Sequence, residues 1–174
     1  MKGLRSIPRV LKINRIEGRS LSLLFNNGES KLVNIEQLLT QPESTGHAEL
    51  RRQILETDDI FNTVTVLGNT IGWPTVGLHT TDLAGNSIFA SFDIDPIVLY
   101  EAGRPDEANT VDLGGKIRTL RLSQGLTQEA LAQKSGTSKH YISRLENDKS
   151  DIELLTLKKI VEAGLDRRLS IDIS

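Results

Sequence analysis

An α+β unit of antiparallel strands and short helices, followed by an all-α unit that closes on a strand, is the architecture the sequence predicts. Three observations lead there. Between Arg9 and Phe92, β-branched and alternating stretches are separated by short Gly- and Asn-containing turns. Between Thr127 and Val161, capping residues and apolar stripes mark successive helices. Gly103 to Thr110 is polar and broken by Gly and Pro, which sets the expected boundaries: 1–103 for the α+β domain, 104–111 for a linker and 112–174 for the helical domain.

Arg9 to Glu17 alternates, with Val10, Lys12, Asn14 and Ile16 on one side and Leu11, Ile13 and Arg15 on the other. Ser20 to Phe25 repeats the apolar pattern after the short connection Glu17-Gly18-Arg19, so a β-hairpin is expected. Asn26 to Glu29 makes the next turn and Lys31 to Ile35 the third strand of an antiparallel meander. A helical turn over Glu36 to Leu39 should stop near Pro42, a loop over Gln41 to His47 follows, and Glu49 to Leu55 carries Leu50 and Ile54 on one helical side. Ile60 to Leu67 and Thr70 to Trp73 read as strands around Gly68-Asn69, and Leu78 to Phe92 as a hairpin turning at Ala84-Gly85-Asn86. Asp95 before Pro96 caps a short helix over Ile97 to Ala102. In the second unit, Ser150-Asp151 is the expected cap of a helix through Val161, with Leu154, Leu157, Ile160 and Val161 as its stripe and Gly164 as its end. Leu169, Ile171 and Ile173 alternate with Ser170 and Asp172, the pattern of a half-buried strand.

Composition narrows the class. The 174 residues are 37% hydrophobic and 25% charged, without cysteine and without an apolar run of membrane-spanning length, so a cytoplasmic protein without disulfides or thiolate metal sites is expected. Net charge is −2, but it is unevenly placed: residues 113–174 hold 11 Lys and Arg against 8 Asp and Glu, and residues 1–112 hold 10 against 15. A net +3 on the second unit suits contact with phosphate that weakens readily with salt.

Thr127 to Asn147 is the most informative stretch. Thr127 is an N-cap with Glu129 behind it, Gly136 supplies the left-handed backbone that ends a helix, and Thr137-Ser138 offers a new cap within three residues. The consequence is helix, tight turn, helix. Leu131, Ile142 and Leu145 are the apolar contacts and Ala132 is small where crossing helices approach. With Lys116 to Arg121 before it, Gly125 to Gln128 at its start and Ile142 to Asn147 at its exit, the stretch resembles the helix-turn-helix of the phage-repressor and Cro-like family, also called the xenobiotic-response-element family. It departs at Asp148, where such sequences often carry Gly.

That resemblance implies a second helix in the major groove of double-stranded DNA, with Ser138, Lys139, His140, Ser143 and Arg144 facing base edges. It implies phosphate contact at Gln128, with Tyr141 and Lys149 as further phosphate contacts, and a structural Arg121 to Glu146 pair that ties the first helix to the end of the recognition helix. Residues 7–102 resemble a small α+β domain of unknown function, through Asn27-Gly28, Trp73-Pro74, Asp93-Ile94-Asp95-Pro96 and Leu99-Tyr100. Some members of that family are encoded in toxin–antitoxin-like operons.

An enzyme is not expected. His79, Asp82, Asp93 and Asp95 lack a metal-ligand spacing, Gly114-Gly115-Lys116 lacks the remainder of a phosphate loop, His47 has no evident partner and Trp73 reads as core. No catalytic residue, metal or cofactor is therefore expected. The functional expectation is a sequence-specific DNA-binding transcriptional regulator, an antitoxin-like autorepressor whose first domain binds a toxin-like partner protein. The alternative is a one-component regulator whose first domain senses a small ligand. A homodimer is expected in either case, with the C-terminal strand pairing across it or docking on the first domain.

Overall fold

The computed structural model describes residues 7–41, 47–147 and 150–172. Pro42 and the rest of 42–46, Asp148, Lys149 and Ile173 lie outside them. The chain divides into two compact units, 1–110 and 111–174.

In the first unit, β1 (Val10–Glu17), β2 (Ser20–Phe25) and β3 (Ser30–Asn34) form the expected meander, extended by the two-residue β7 (Arg104–Pro105) into a sheet of order β1-β2-β3-β7. Asn34 caps α1 (Ile35–Leu39) by accepting from Gln37 N. Two more helices follow, α2 (Ala48–Glu56) and α3 (Asp58–Phe61). A second antiparallel sheet has the order β4-β5-β6, from β4 (Thr65–Leu67), β5 (Thr70–Thr81) and β6 (Ser87–Ile94). Asp95 then caps α4 (Pro96–Ala102) through Ile97 N.

One apolar core joins the faces of these elements, with Leu21, Leu23, Phe25, Ile35, Ile54, Phe61, Ile71, Trp73 and Leu99 fully buried. Trp73 is neutralised as a buried donor because its indole N–H reaches the Phe61 carbonyl at 3.0 Å. Gly77 is required where β5 and β6 close up beyond a register shift: a Cβ there would stand 2.1 Å from the Ala90 carbonyl oxygen.

Two expectations for this unit are corrected. Ile60 to Leu67 is not one strand: Thr57 accepts from Ile60 N and caps α3, so extended backbone begins only at Thr65. Residues 104–110 are not a free linker either. Lys31 and Leu32 of β3 pair with Pro105 and Arg104, Asp106 N donates to the Ser30 carbonyl, and a single 3-10 turn follows over Glu107–Asn109. The Asp106 carboxylate is buried, taking both forks of Arg15 at 2.6 and 2.9 Å, the Ser22 hydroxyl at 2.5 Å and the Asn109 amide at 2.7 Å. Arg15 holds this carboxyl far below the usual carboxylate range, against the opposing effect of burial, and Ser22 and Asn109 add to the depression.

The second unit is helical. It comprises α5 (Leu113–Ser123), α6 (Gln128–Ser135), α7 (Lys139–Leu145) and α8 (Leu154–Lys158), the last continuing as a wider π-helical turn over Lys159–Gly164. The cap of α8 is Glu153, not Ser150-Asp151. The expected C-terminal strand is absent among the described residues 165–172. Asp166 takes a left-handed φ of 50° and Arg167 N returns to the Val161 carbonyl at 3.0 Å, so the chain folds back and Leu169 packs on the helical core. A strand also needs a ladder partner, and the described part of this unit contains none. No helix among the described residues is long and apolar enough to cross a membrane.

Candidate nucleic-acid interface

Local chemistry sets the angle between α6 and α7. The Thr127 hydroxyl accepts from Ala130 N at 3.1 Å and starts α6. Gly136, with φ 65°, ends it and returns its N–H to the carbonyls of Ala132 and Gln133. Thr137 N reaches the Ala132 carbonyl at 2.9 Å, and Ser138 accepts from Tyr141 N at 3.1 Å to start α7. The turn is three residues long. Inside it, the buried Ser135 hydroxyl is satisfied by the Leu131 carbonyl at 2.7 Å.

Packing then decides which way α7 faces. Ile142 and Leu145 are buried with Leu131, Ala132, Ile117, Leu157, Ile160, Val161 and Leu165. Ser138, Lys139 and His140 are exposed on the opposite side, with Ser143 and Arg144 half-buried beside them. A short helix held by one apolar face thus presents donors on the other.

A buried ion pair fixes this helix to its neighbours. Arg121 Nε and Nη2 donate to the two carboxylate oxygens of Glu146 at 2.6 and 2.8 Å, and Nη1 donates to the Leu126 carbonyl at 2.7 Å. Gln128 Nε2 adds a bond to Glu146 Oε2 at 2.9 Å. The Arg121 and Glu146 side chains are 8% and 1% exposed. Burial by itself would raise the Glu146 carboxyl, but the hydrogen bonds from Arg121 and Gln128 outweigh it and hold the group below its ordinary value. The same contact raises Arg121. The end of α7 and the first turn of α6 are therefore tied to α5 through the Glu146 carboxylate, and the loop before α6 through the Arg121 guanidinium.

The sequence-derived residues thus separate by environment. Ser138, Lys139, His140, Ser143 and Arg144 come together on one side of α7. Tyr141 is half-buried against the helical core, and burial raises its hydroxyl pKa. Gln128 is half-buried and its amide nitrogen is engaged by Glu146, a bond that nothing in the local sequence signals because its partner lies 18 residues away. Lys149 lies outside the described residues. Among the described residues, His79, Asp82, Asp93 and Asp95 belong to no group of three or more side chains that could hold a metal.

Residues 117–163 match the family model described as helix-turn-helix. Two solved restriction-modification controller proteins are similar to the same part of the chain. C.AhdI from Aeromonas hydrophila is 33% identical over 35% of this chain and 91% of its own, with a TM-score of 0.33. C.Esp1396I is 33% identical over 33% of this chain and 74% of its own, with a TM-score of 0.32, and it has also been solved as a tetramer in complex with its natural 35 base-pair operator. No curated protein matches the chain significantly. The family match lies wholly within the second unit and spans α6, the turn and α7.

Proposed function

We propose that the protein is a sequence-specific transcriptional regulator that reads its operator with α7. The observation that carries this reading is the division of α7 into a buried apolar side and a side bearing Lys139, His140, Ser143 and Arg144, clamped at its end by Glu146. Arg144 and Lys139 donate to guanine edges, Ser138 and Ser143 to either base or phosphate, and Gln128, Tyr141 and Lys149 contact the backbone. In this reading Arg144→Ala costs about 1–3 kcal/mol on the operator and relaxes specificity at one base pair. Titration of operator and random DNA at one salt concentration is the check: equal loss on both removes Arg144 from base readout.

The finer role is an autorepressor whose first unit binds a toxin-like partner protein, supported by the resemblance of residues 7–102 to a small α+β family some of whose members are encoded in toxin–antitoxin-like operons. Co-purification from the native operon tests it, and a chain that emerges alone argues against it. A small-ligand sensor is the second reading, favoured by one feature. A cleft of about 570 Å³ lies between Leu39, Thr40, Arg51, Arg52, Leu55 and Glu56, and the buried Arg51 Nε has no hydrogen-bond partner among the described residues. Arg51 and Arg52 on the cleft wall would suit an anionic ligand.

A further inference from the structure

The first unit has several sheet edges, and all but one are blunted against pairing. β1 carries Lys12, Arg15 and Glu17 and two register shifts along its pairing with β2. β7 is two residues long and includes Pro105, and β4 is three residues long. β5, paired with β4 only from Thr70 to Gly72, is interrupted on that side by Pro74 and by the register shift between Trp73 and Gly77. These are the devices by which exposed edges avoid recruiting another strand. Along Ser87 to Phe92, β6 uses none of them; its one charge is the exposed Asp93 near its end. It is an outer strand of its sheet, eight residues long, and Ser87 to Phe92 reads Ser-Ile-Phe-Ala-Ser-Phe, without a charge or a proline.

The same strand belongs to an arm that leaves the core. Beyond Gly77, Leu78 pairs with Ala90, His79 with Phe89, Thr80 with Ile88 and Thr81 with Ser87, and every one of these residues is exposed. Leu78 and Ile88 lie on one face, while Phe89 stacks edge-on against His79 on the other with ring centres 5.3 Å apart. A two-stranded ribbon exposed on both faces is marginal in water and gains most from a further strand.

Charge selects the occupant. Residues 1–112 hold 15 Asp and Glu against 10 Lys and Arg, so two copies repel over most of this unit. Between Trp73 and Phe92 the one ionised side chain is Asp82, and its carboxylate is turned into the arm's own tip, accepting from Ala84 N, Asn86 N and the Asn86 amide. The stretch Ser87 to Phe92 lies antiparallel to itself without opposing like charges, and in a pairing centred on Ala90 the Asp93 carboxylate stands opposite Ser87, not opposite its own copy. We infer that β6 is a self-association edge: two copies of this chain pair β6 with β6 in antiparallel fashion about a two-fold axis, joining their three-stranded sheets into one. The two helix-turn-helix units are thereby held in one assembly, as a palindromic operator requires, and this last clause rests on the DNA-reading proposal.

The test is made without DNA, so it stands or falls separately from operator recognition. Sedimentation of the full chain at micromolar concentration should give a two-chain mass, and Ile88→Lys with Ala90→Lys should give a single-chain mass with unchanged Trp73 fluorescence, since both positions are exposed. The protein has no cysteine, so Ala90→Cys provides a unique thiol that a short bismaleimide should join into a covalent two-chain species. A parent that is a single chain, a double-lysine variant that remains two chains, or a two-chain Ala90→Cys protein that does not cross-link overturns the proposal. A parent that stays single until an extended peptide is added assigns the edge to a different partner and overturns it too.

Discussion

Each unit of this chain is held by a buried arginine–carboxylate pair, and the two pairs differ in reach and in enclosure. Arg121 on α5 and Glu146 at the C-terminal cap of α7 lie 25 residues apart, and both side chains are almost wholly enclosed, at 8% and 1% exposure. Arg15 and Asp106 lie 91 residues apart, joining an edge strand to the last segment of the first unit, and the arginine remains 30% exposed while the aspartate is 3% exposed. The first pair aims a helix; the second closes a domain. An enclosed pair loses its partner's charge with nothing to replace it, whereas an arginine open to solvent recovers hydration, so the two should respond unequally to the same kind of damage.

The largest effect is expected for Glu146→Ala. It leaves Arg121 enclosed without a counter-charge and releases Gln128, which should destabilise the helical unit by about 3–5 kcal/mol. Helical melting followed by circular dichroism should shift down while fluorescence of the single, fully buried Trp73 does not, because that residue reports the first unit alone. A helical unit that melts like the parent but no longer binds DNA would make Glu146 a DNA contact instead of a clamp. Asp106→Asn should act in the opposite channel, lowering the Trp73 transition and leaving helical melting in place, with the smaller shift of the two. An unaltered Trp73 transition would return residues 104–110 to the status of a linker.

Acid sharpens the comparison. Both carboxylates are depressed in the folded chain, so each contributes stability that is fully present above its ordinary value, 4.5 for Glu146 and 3.8 for Asp106, and is lost as pH falls through the lower folded value. The helical unit should therefore begin to weaken at the higher pH. Glu146→Gln should flatten its stability between neutrality and mild acid, and a parallel pair of curves for parent and variant would deny Glu146 that role. The smallest effect is expected for Gln128→Ala, about 0.5–1.5 kcal/mol from one lost hydrogen bond to Glu146. If the residue also holds a phosphate, affinity for all DNA sequences should fall alike; unchanged affinity leaves it only the bond to Glu146.

Much of the helical unit was legible because its determinants are local. Thr127, Gly136 and Ser138 act on backbone groups within a few residues, and the spacing of Leu131, Ile142 and Leu145 declares the inward side of each helix. The Arg121 to Glu146 pair followed from the resemblance of the surrounding motif, not from any rule of spacing. Asp106 was illegible for the converse reason. It sits in a polar stretch with Gly and Pro, which reads as linker, and only the pairing of Arg104 and Pro105 with β3 brings it onto Arg15 and Ser22. The tail misled in the opposite direction: Leu169 and Ile171 alternate as a strand would, but period alone cannot supply a neighbour to bond with, and the reversal at Asp166 turns Leu169 onto the helices.

By itself the sequence determined where α6 ends and α7 begins, which of their residues turn inward, and that the face left outward on α7 is rich in donors. It determined the meander of the first unit by the same short-range logic of alternation and turns. The tertiary structure alone decided the things that depend on residues far apart in the chain: that 104–110 closes the first unit, that Gln128 is bound by Glu146, and that β6 stands at the outside of its sheet. Caps, turns and periodicity act over a few residues and leave their mark in the order of the letters. A buried ion pair or a free edge depends on which distant segment arrives beside it, and that is settled only when the chain has folded.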